Sequence, residues 1–149
     1  MKTRKLLLLV GIALLGAGTV ACSKDNVSHD ANTLPSKAHE LLAQNFNSAI
    51  SLVNEEKEFG KVEEYEVTLS DGTQVTFSSD GEWKSVDTPN NLSVPAGLVP
   101  TSIADYVKDK HNGAFIVGIE KEKKGFEVEL SNGIDMKFDT SGNFISYDN

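Results

Sequence analysis

The side chains of this 149-residue chain with the means to do chemistry are few: three histidines, one cysteine and several adjacent carboxylates. His29 lies in a polar stretch, His39 sits beside Glu40 in a helical pattern, and His111 ends a second helical pattern in the slot that Phe46 fills in the first. Partial packing or a solvated helix end accounts for His111 better than catalysis does. No Ser/His/Asp order stands out as a catalytic constellation, and there is no Gly-x-Ser-x-Gly turn to present a nucleophile. Glu55-Glu56 and Glu63-Glu64 fall near hairpin ends, where neighbouring carboxylates are solvated. Neither Asp71 nor Asp80 sits in a loop with the several oxygen ligands that calcium needs. One cysteine makes neither an internal disulfide nor a thiolate metal cluster. The expectation is a chain with no catalytic residues, no metal and no cofactor, not an enzyme; a small hydrolase is the alternative it competes with.

Cys22 points to a different chemistry. Lys2, Arg4 and Lys5 precede the apolar run Leu6 to Leu15, which dissolves into Gly16-Ala17-Gly18-Thr19-Val20-Ala21. That is the anatomy of an export signal, and the run is too short to span a bilayer. Thr19-Val20-Ala21-Cys22 resembles the lipobox of bacterial lipoproteins, with Thr19 where leucine is usual; the resemblance implies a diacylglycerol thioether on Cys22 as the mature N-terminus. Ordinary cleavage after Ala21 is the competing reading. Either way, loss of residues 1–21 removes three basic and no acidic residues, taking the net charge from −8 to −11 over 128 residues. A net charge of that sign argues against nucleic acid as a partner. Residues 22–33 are polar and aperiodic, and are expected to form a flexible tether.

The remainder is one unit written twice. Tyr65 to Asp87 aligns without a gap on Phe126 to Asp148, with Glu66/Glu127, Val67/Val128, Leu69/Leu130, Gly72/Gly133, Phe77/Phe138 and Gly81/Gly142 among the identities, and Trp83/Phe144 as an aromatic exchange. Upstream, Leu34-Pro35 matches Val99-Pro100 at a spacing four residues longer, so the first copy carries an insertion near Phe59 to Val62. The units are residues 34–87 and 99–149, joined by the Pro-, Asn- and Gly-rich linker 88–98.

Each copy opens with a helix just after its proline: Ala38, Leu41, Leu42 and Phe46 in one, Ile103, Tyr106, Val107 and His111 in the other. Strands of period two follow. The turns can be typed by parity, because a three-residue loop Ser70-Asp71-Gly72 with a left-handed glycine pairs Val67 with Val75 and Tyr65 with Phe77, and Ser79-Asp80-Gly81 pairs Phe77 with Trp83. Ser131-Asn132-Gly133 and Thr140-Ser141-Gly142 repeat the device. Ala49 to Glu58 and Ala114 to Lys124 supply one further strand each. The expected fold is α+β: two tandem helix-plus-four-strand repeats sharing one antiparallel sheet of about eight strands, with both helices on one face. Copies of about 50 residues would have marginal cores alone.

Leu34-Pro35, Tyr65 to Gly72, Phe77, Asp80-Gly81-Glu82-Trp83 and Gly125 to Gly133 resemble the PepSY-like domain of Bacteroidetes lipoproteins, which is similar in architecture to the tandem-repeat beta-lactamase inhibitor proteins. The resemblance implies a noncatalytic, extracytoplasmic module, periplasmic or on the cell surface, anchored to an inner or outer membrane by its lipid. It also implies a protein or peptide partner, with inhibition of a secreted hydrolase as one form of that binding. A structural envelope lipoprotein without a ligand is the alternative, and a monomer is expected.

Alternation then assigns a binding surface. With Phe77, Trp83, Phe138 and Phe144 inward, Glu66 and Glu127 face outward, and Val86, Ile145 and Tyr147 share their parity. An acidic face with a few apolar groups suits a basic partner. Phe59, at the tip of the charged arm EEKEFGKVEE, either anchors a contact or folds back on its own hairpin.

Overall fold

The structure, a computed structural model, describes residues 26–28 and 31–148. Cys22 and the export signal lie outside the described residues. Nine strands form one antiparallel sheet in chain order: β1 (Asn26–Ser28), β2 (Ile50–Glu58), β3 (Lys61–Leu69), β4 (Gln74–Ser78), β5 (Trp83–Asp87), β6 (Ile116–Glu122), β7 (Gly125–Leu130), β8 (Asp135–Asp139) and β9 (Phe144–Asp148). Helices α1 (Ser36–Asn45) and α2 (Thr101–Lys110) precede β2 and β6. The two repeats contribute eight of the strands, and β1, within the stretch expected to be a tether, adds the ninth beside β2.

Each helix starts after its proline, whose fixed φ suits helix entry (Pro35 φ −57°, Pro100 φ −54°). Ala38 and Leu42 of α1, and Ile103 and Val107 of α2, enter one core with Val67, Val75, Phe77, Val128, Met136 and Phe138. Both helices therefore cover the same sheet face. The repeats meet at β5–β6, where Val86 lies opposite Ile119, so neither half closes its core alone.

The four turns have the expected form. Tyr65 pairs with Phe77, Val67 with Val75, Phe77 with Trp83 and Phe138 with Phe144, with positive φ at Gly72, Gly81, Gly133 and Gly142. Two of these glycines have a second reason to be glycine. A Cβ on Gly81 would stand 2.8 Å from the Pro35 side chain, and one on Gly142 would collide with the Ser102 hydroxyl. The first turn of each helix thus rests directly on the turn that follows the third strand of its unit.

One expectation fails just past these turns. In β5 the register passes from Phe77↔Trp83 to Thr76↔Ser85, and in β9 from Phe138↔Phe144 to Lys137↔Ser146. Lys84 and Ile145 are the extra residues of two equivalent β-bulges, and each bulge inverts the alternation beyond it. Val86 is consequently fully buried opposite Val75, not on the outward face. Tyr147 lies opposite Met136, so it turns toward the helices rather than away from them.

Candidate functional site

The face opposite the helices is open. Register places one row of side chains across eight strands: Asn54, Glu66, Thr76, Ser85, Glu120, Glu127, Lys137 and Ser146. Adjacent members sit one strand spacing apart, roughly 5 Å. Beside it, Thr68, Gln74, Asp87, Gly118, Glu129 and Asp135 make a second row. The repeat-1 half of this face is a trough of about 440 Å³, with Leu52, Asn54, Glu64, Glu66, Thr76 and Lys84 among its lining.

The charges are unevenly compensated. Lys84 pairs with Glu64, and Lys137 with Asp148 at 3.2 Å. Glu120 stands opposite Glu127, and partial burial, with Glu122, Glu127 and Asp87 nearby, pushes the Glu120 carboxyl above its ordinary range despite Lys84. Glu127 is pushed up as well, by burial first; Lys137 works against the shift, while Asp148, Glu122 and Asp135 add to it. Asn54 donates to Glu66 at 3.4 Å, and its own Oδ1 is buried without a hydrogen-bond partner. The face is an acidic, hydroxyl-bearing surface.

It does not assemble the parts of a hydrolase. His39 Nε2 lies 2.7 Å from the Ala31 carbonyl, and His111 Nε2 lies 3.3 Å from the Tyr147 hydroxyl, both on the helix side of the sheet. His29 lies outside the described residues. Among the described residues no group of three or more His, Cys, Asp or Glu is placed to hold a metal ion, and no helix is long and apolar enough to cross a membrane.

Of the residues singled out from sequence, Glu66 and Glu127 occupy the same open-face row, and Ile145, 58% exposed, lies beside it on the β9 bulge. Val86 is in the core, and Tyr147 belongs to an aromatic cluster at the end of α2. Phe59 stands apart at the β2–β3 tip, 98% exposed, so it does not fold back on its hairpin. Sequence reasoning missed Glu120, Asp87 and Asn54. The signal for Glu120 was present in β6, where it alternates with the core residue Ile119.

The fold has counterparts among solved structures. Residues 63–146 match the family described as "Putative beta-lactamase-inhibitor-like, PepSY-like". A crystal structure of a "putative periplasmic protein of unknown function" from Bacteroides vulgatus shares 36% identity, with 84% of this chain and 99% of that one covered at a TM-score of 0.78. A "putative calcium-regulated periplasmic protein" from Bacteroides thetaiotaomicron shares 34% identity, covering 84% and 97% of the two chains at a TM-score of 0.76. A second Bacteroides vulgatus structure, described as a "putative periplasmic protein from DUF2874 family", shares 30% identity over 85% of this chain and 98% of that one at a TM-score of 0.76. Comparison with curated proteins gave no significant match. With more than half its length matched to the family, and the same fold in relatives above 30% identity, this chain belongs to the PepSY-like family.

Proposed function

We propose that this protein is a noncatalytic binding module of the bacterial envelope, anchored through Cys22, that takes a basic protein or peptide segment on the open face of its sheet. The observation that carries this reading is the Glu66–Thr76–Ser85–Glu120–Glu127 row, where two carboxylates held above their ordinary range face each other with incomplete compensation. A docked Lys or Arg would relieve that repulsion with charge-assisted hydrogen bonds. The export signal and the descriptions of the Bacteroides relatives support the compartment. The family description favours a secreted hydrolase as the owner of the docked segment, held inactive by it.

The test is titration with a lysine-rich and a glutamate-rich peptide of equal length. The expected result is salt-sensitive binding of the first alone, lost in the triple variant E66Q/E120Q/E127Q with folding retained. Undiminished binding by the triple variant would place the surface elsewhere. Capture from envelope extract then identifies the partner, and assay of captured hydrolases with and without the domain tests inhibition. For the anchor, C22A should lose its acyl label and move to the soluble fraction; unchanged membrane retention with no loss of acyl label would refute it.

A further inference from the structure

We propose that the tip of the β2–β3 hairpin is a membrane contact, seating the domain on the bilayer that holds its own lipid; this deepens the anchored reading above and rests on it. Phe59 and Gly60 form the two-residue turn between Glu58 and Lys61, with φ 49° and 80°. The left-handed region is unfavourable for a bulky side chain, and the ring is 98% exposed, so the fold gives nothing in return. An aromatic held in this way calls for a contact outside the domain.

The direction of the chain says what supplies it. β1 runs antiparallel to β2, with Asn26 beside Glu55 and Ser28 beside Val53, so the N-terminal end of β1 is the end nearer Phe59. Cys22 is four residues before Asn26, a reach of at most about 14 Å. Phe59 is four residues beyond Glu55, nearly the same rise along β2. Acyl chains on Cys22 therefore bring the bilayer within reach of the ring. Lys61 and the Lys123-Lys124 turn lie at that same end, interleaved with Glu58 and Glu122, and their ammonium groups suit phosphate headgroups, whereas Lys57 is paired with Glu55 at 2.7 Å.

The lipoprotein is purified with its signal removed and reconstituted into vesicles of phosphatidylethanolamine and phosphatidylglycerol, with and without brominated acyl chains. In F59W the new indole should shift to the blue and lose about half its emission in the brominated vesicles, as an interfacial ring does. The parent, whose single tryptophan is Trp83, gives the baseline. As a second measurement needing no new fluorophore, trypsin cleavage at Lys61 should slow about tenfold in the vesicle-bound parent relative to soluble C22A, and this protection should weaken in F59S. Acylated, vesicle-bound protein with an unquenched indole and an unprotected Lys61 overturns the tip contact alone, and is the outcome expected of a tip that docks on a protein. Absence of acyl chains on Cys22 by mass spectrometry overturns both readings.

Discussion

Val86 and Tyr147 hold the same place in the two repeats, opposite Val75 and Met136 and just past equivalent bulges, yet one is fully buried and the other 47% exposed. The difference lies in the neighbour. β5 is flanked by β6, which sets Ile119 beside Val86, whereas β9 ends the sheet. Around that edge the second repeat replaces aliphatic packing with rings: Tyr106 stands where Leu41 does in the first, and stacks on Phe144 at 4.7 Å, while Tyr147 packs 4.9 Å from Phe144 and 5.8 Å from His111. A small aliphatic group cannot close an edge position. A ring with a polar tip covers its apolar neighbours and still meets water.

The sharpest way to break this comparison is to put one charge at both places. V86D buries an uncompensated carboxylate, expected to cost about 3–5 kcal/mol and to unfold the domain or nearly so. Y147D should cost about 1 kcal/mol, since its carboxylate reaches water. Urea denaturation of the pair checks this, and comparable losses would mean that β9 is as enclosed as β5.

A smaller effect is expected at the aromatic positions. Trp83 is only half-buried, with the Lys121 ammonium 3.8 Å from its ring centroid, and Phe144 is half-buried under Tyr106. W83A and F144A should therefore each cost about 2–3 kcal/mol, below the range for a fully buried ring. Y106L, which gives α2 the residue of α1, should cost about 1 kcal/mol through loss of the stack on Phe144. A near-zero change for Y106L would show that the rings fill space without preference for one another.

The legible part of the molecule was whatever obeys a strict period. Gly72, Gly81, Gly133 and Gly142 fixed loop length, loop length fixed parity, and parity placed Val67, Val75 and Phe77 inside. What parity cannot carry across is an inserted residue, and the bulges at Lys84 and Ile145 have no marker such as glycine or proline. That is why Glu66 and Glu127 were correctly placed on the open face while Val86 and Tyr147 were not. The long-range row from Asn54 to Ser146 depends on how the repeats join, and a sequence read copy by copy does not reveal that junction. Phe59 was legible as the tip of an arm, but that it lies toward the N-terminal end of β1 depends on the β1–β2 pairing.

On the open face the same comparison concerns charge. Repeat 1 places Asn54 opposite Glu66, joined by a hydrogen bond, where repeat 2 places Glu120 opposite Glu127. Both carboxyls of the second pair are raised above 4.5 by burial and like charges. Just above 4.5 the folded state then holds more protons than the unfolded state, so stability falls as pH rises through that window, and at neutral pH the pair is a cost. E120N, which gives repeat 2 the pair of repeat 1, should stabilise the domain by about 0.5 kcal/mol at neutral pH after solvent screening, with the gain vanishing below pH 4.5. Asp80 and Asp139, lowered chiefly by hydrogen bonds from the Ser78 and Asn143 side chains, act in the opposite sense: their contribution is present above 3.8 and lost as pH falls below it. Thermal melts from about pH 2.5 to 8, of parent and E120N, separate the two effects, and a gain that persisted in acid would show that the carboxylate pair is not its source.

The smallest effect on stability is expected at the bulges themselves. Lys84 in repeat 1 pairs with Glu64, but the corresponding residues of repeat 2 are Ile145 and Gly125, so a lysine at 145 would find no carboxylate in the equivalent place. Ile145 is 58% exposed and takes no part in the core. I145K should therefore change stability by less than about 0.5 kcal/mol, and K84A, which removes a partly exposed pair, by about 0–1 kcal/mol. The two variants separate packing from recognition, because I145K removes an apolar group from the open face and adds a like charge beside any basic segment docked there. Weaker binding of the lysine-rich peptide at unchanged stability is the expected result. A loss above 1 kcal/mol in I145K would instead mean that the bulge residue packs against the edge of the sheet, and that the open face ends at β8.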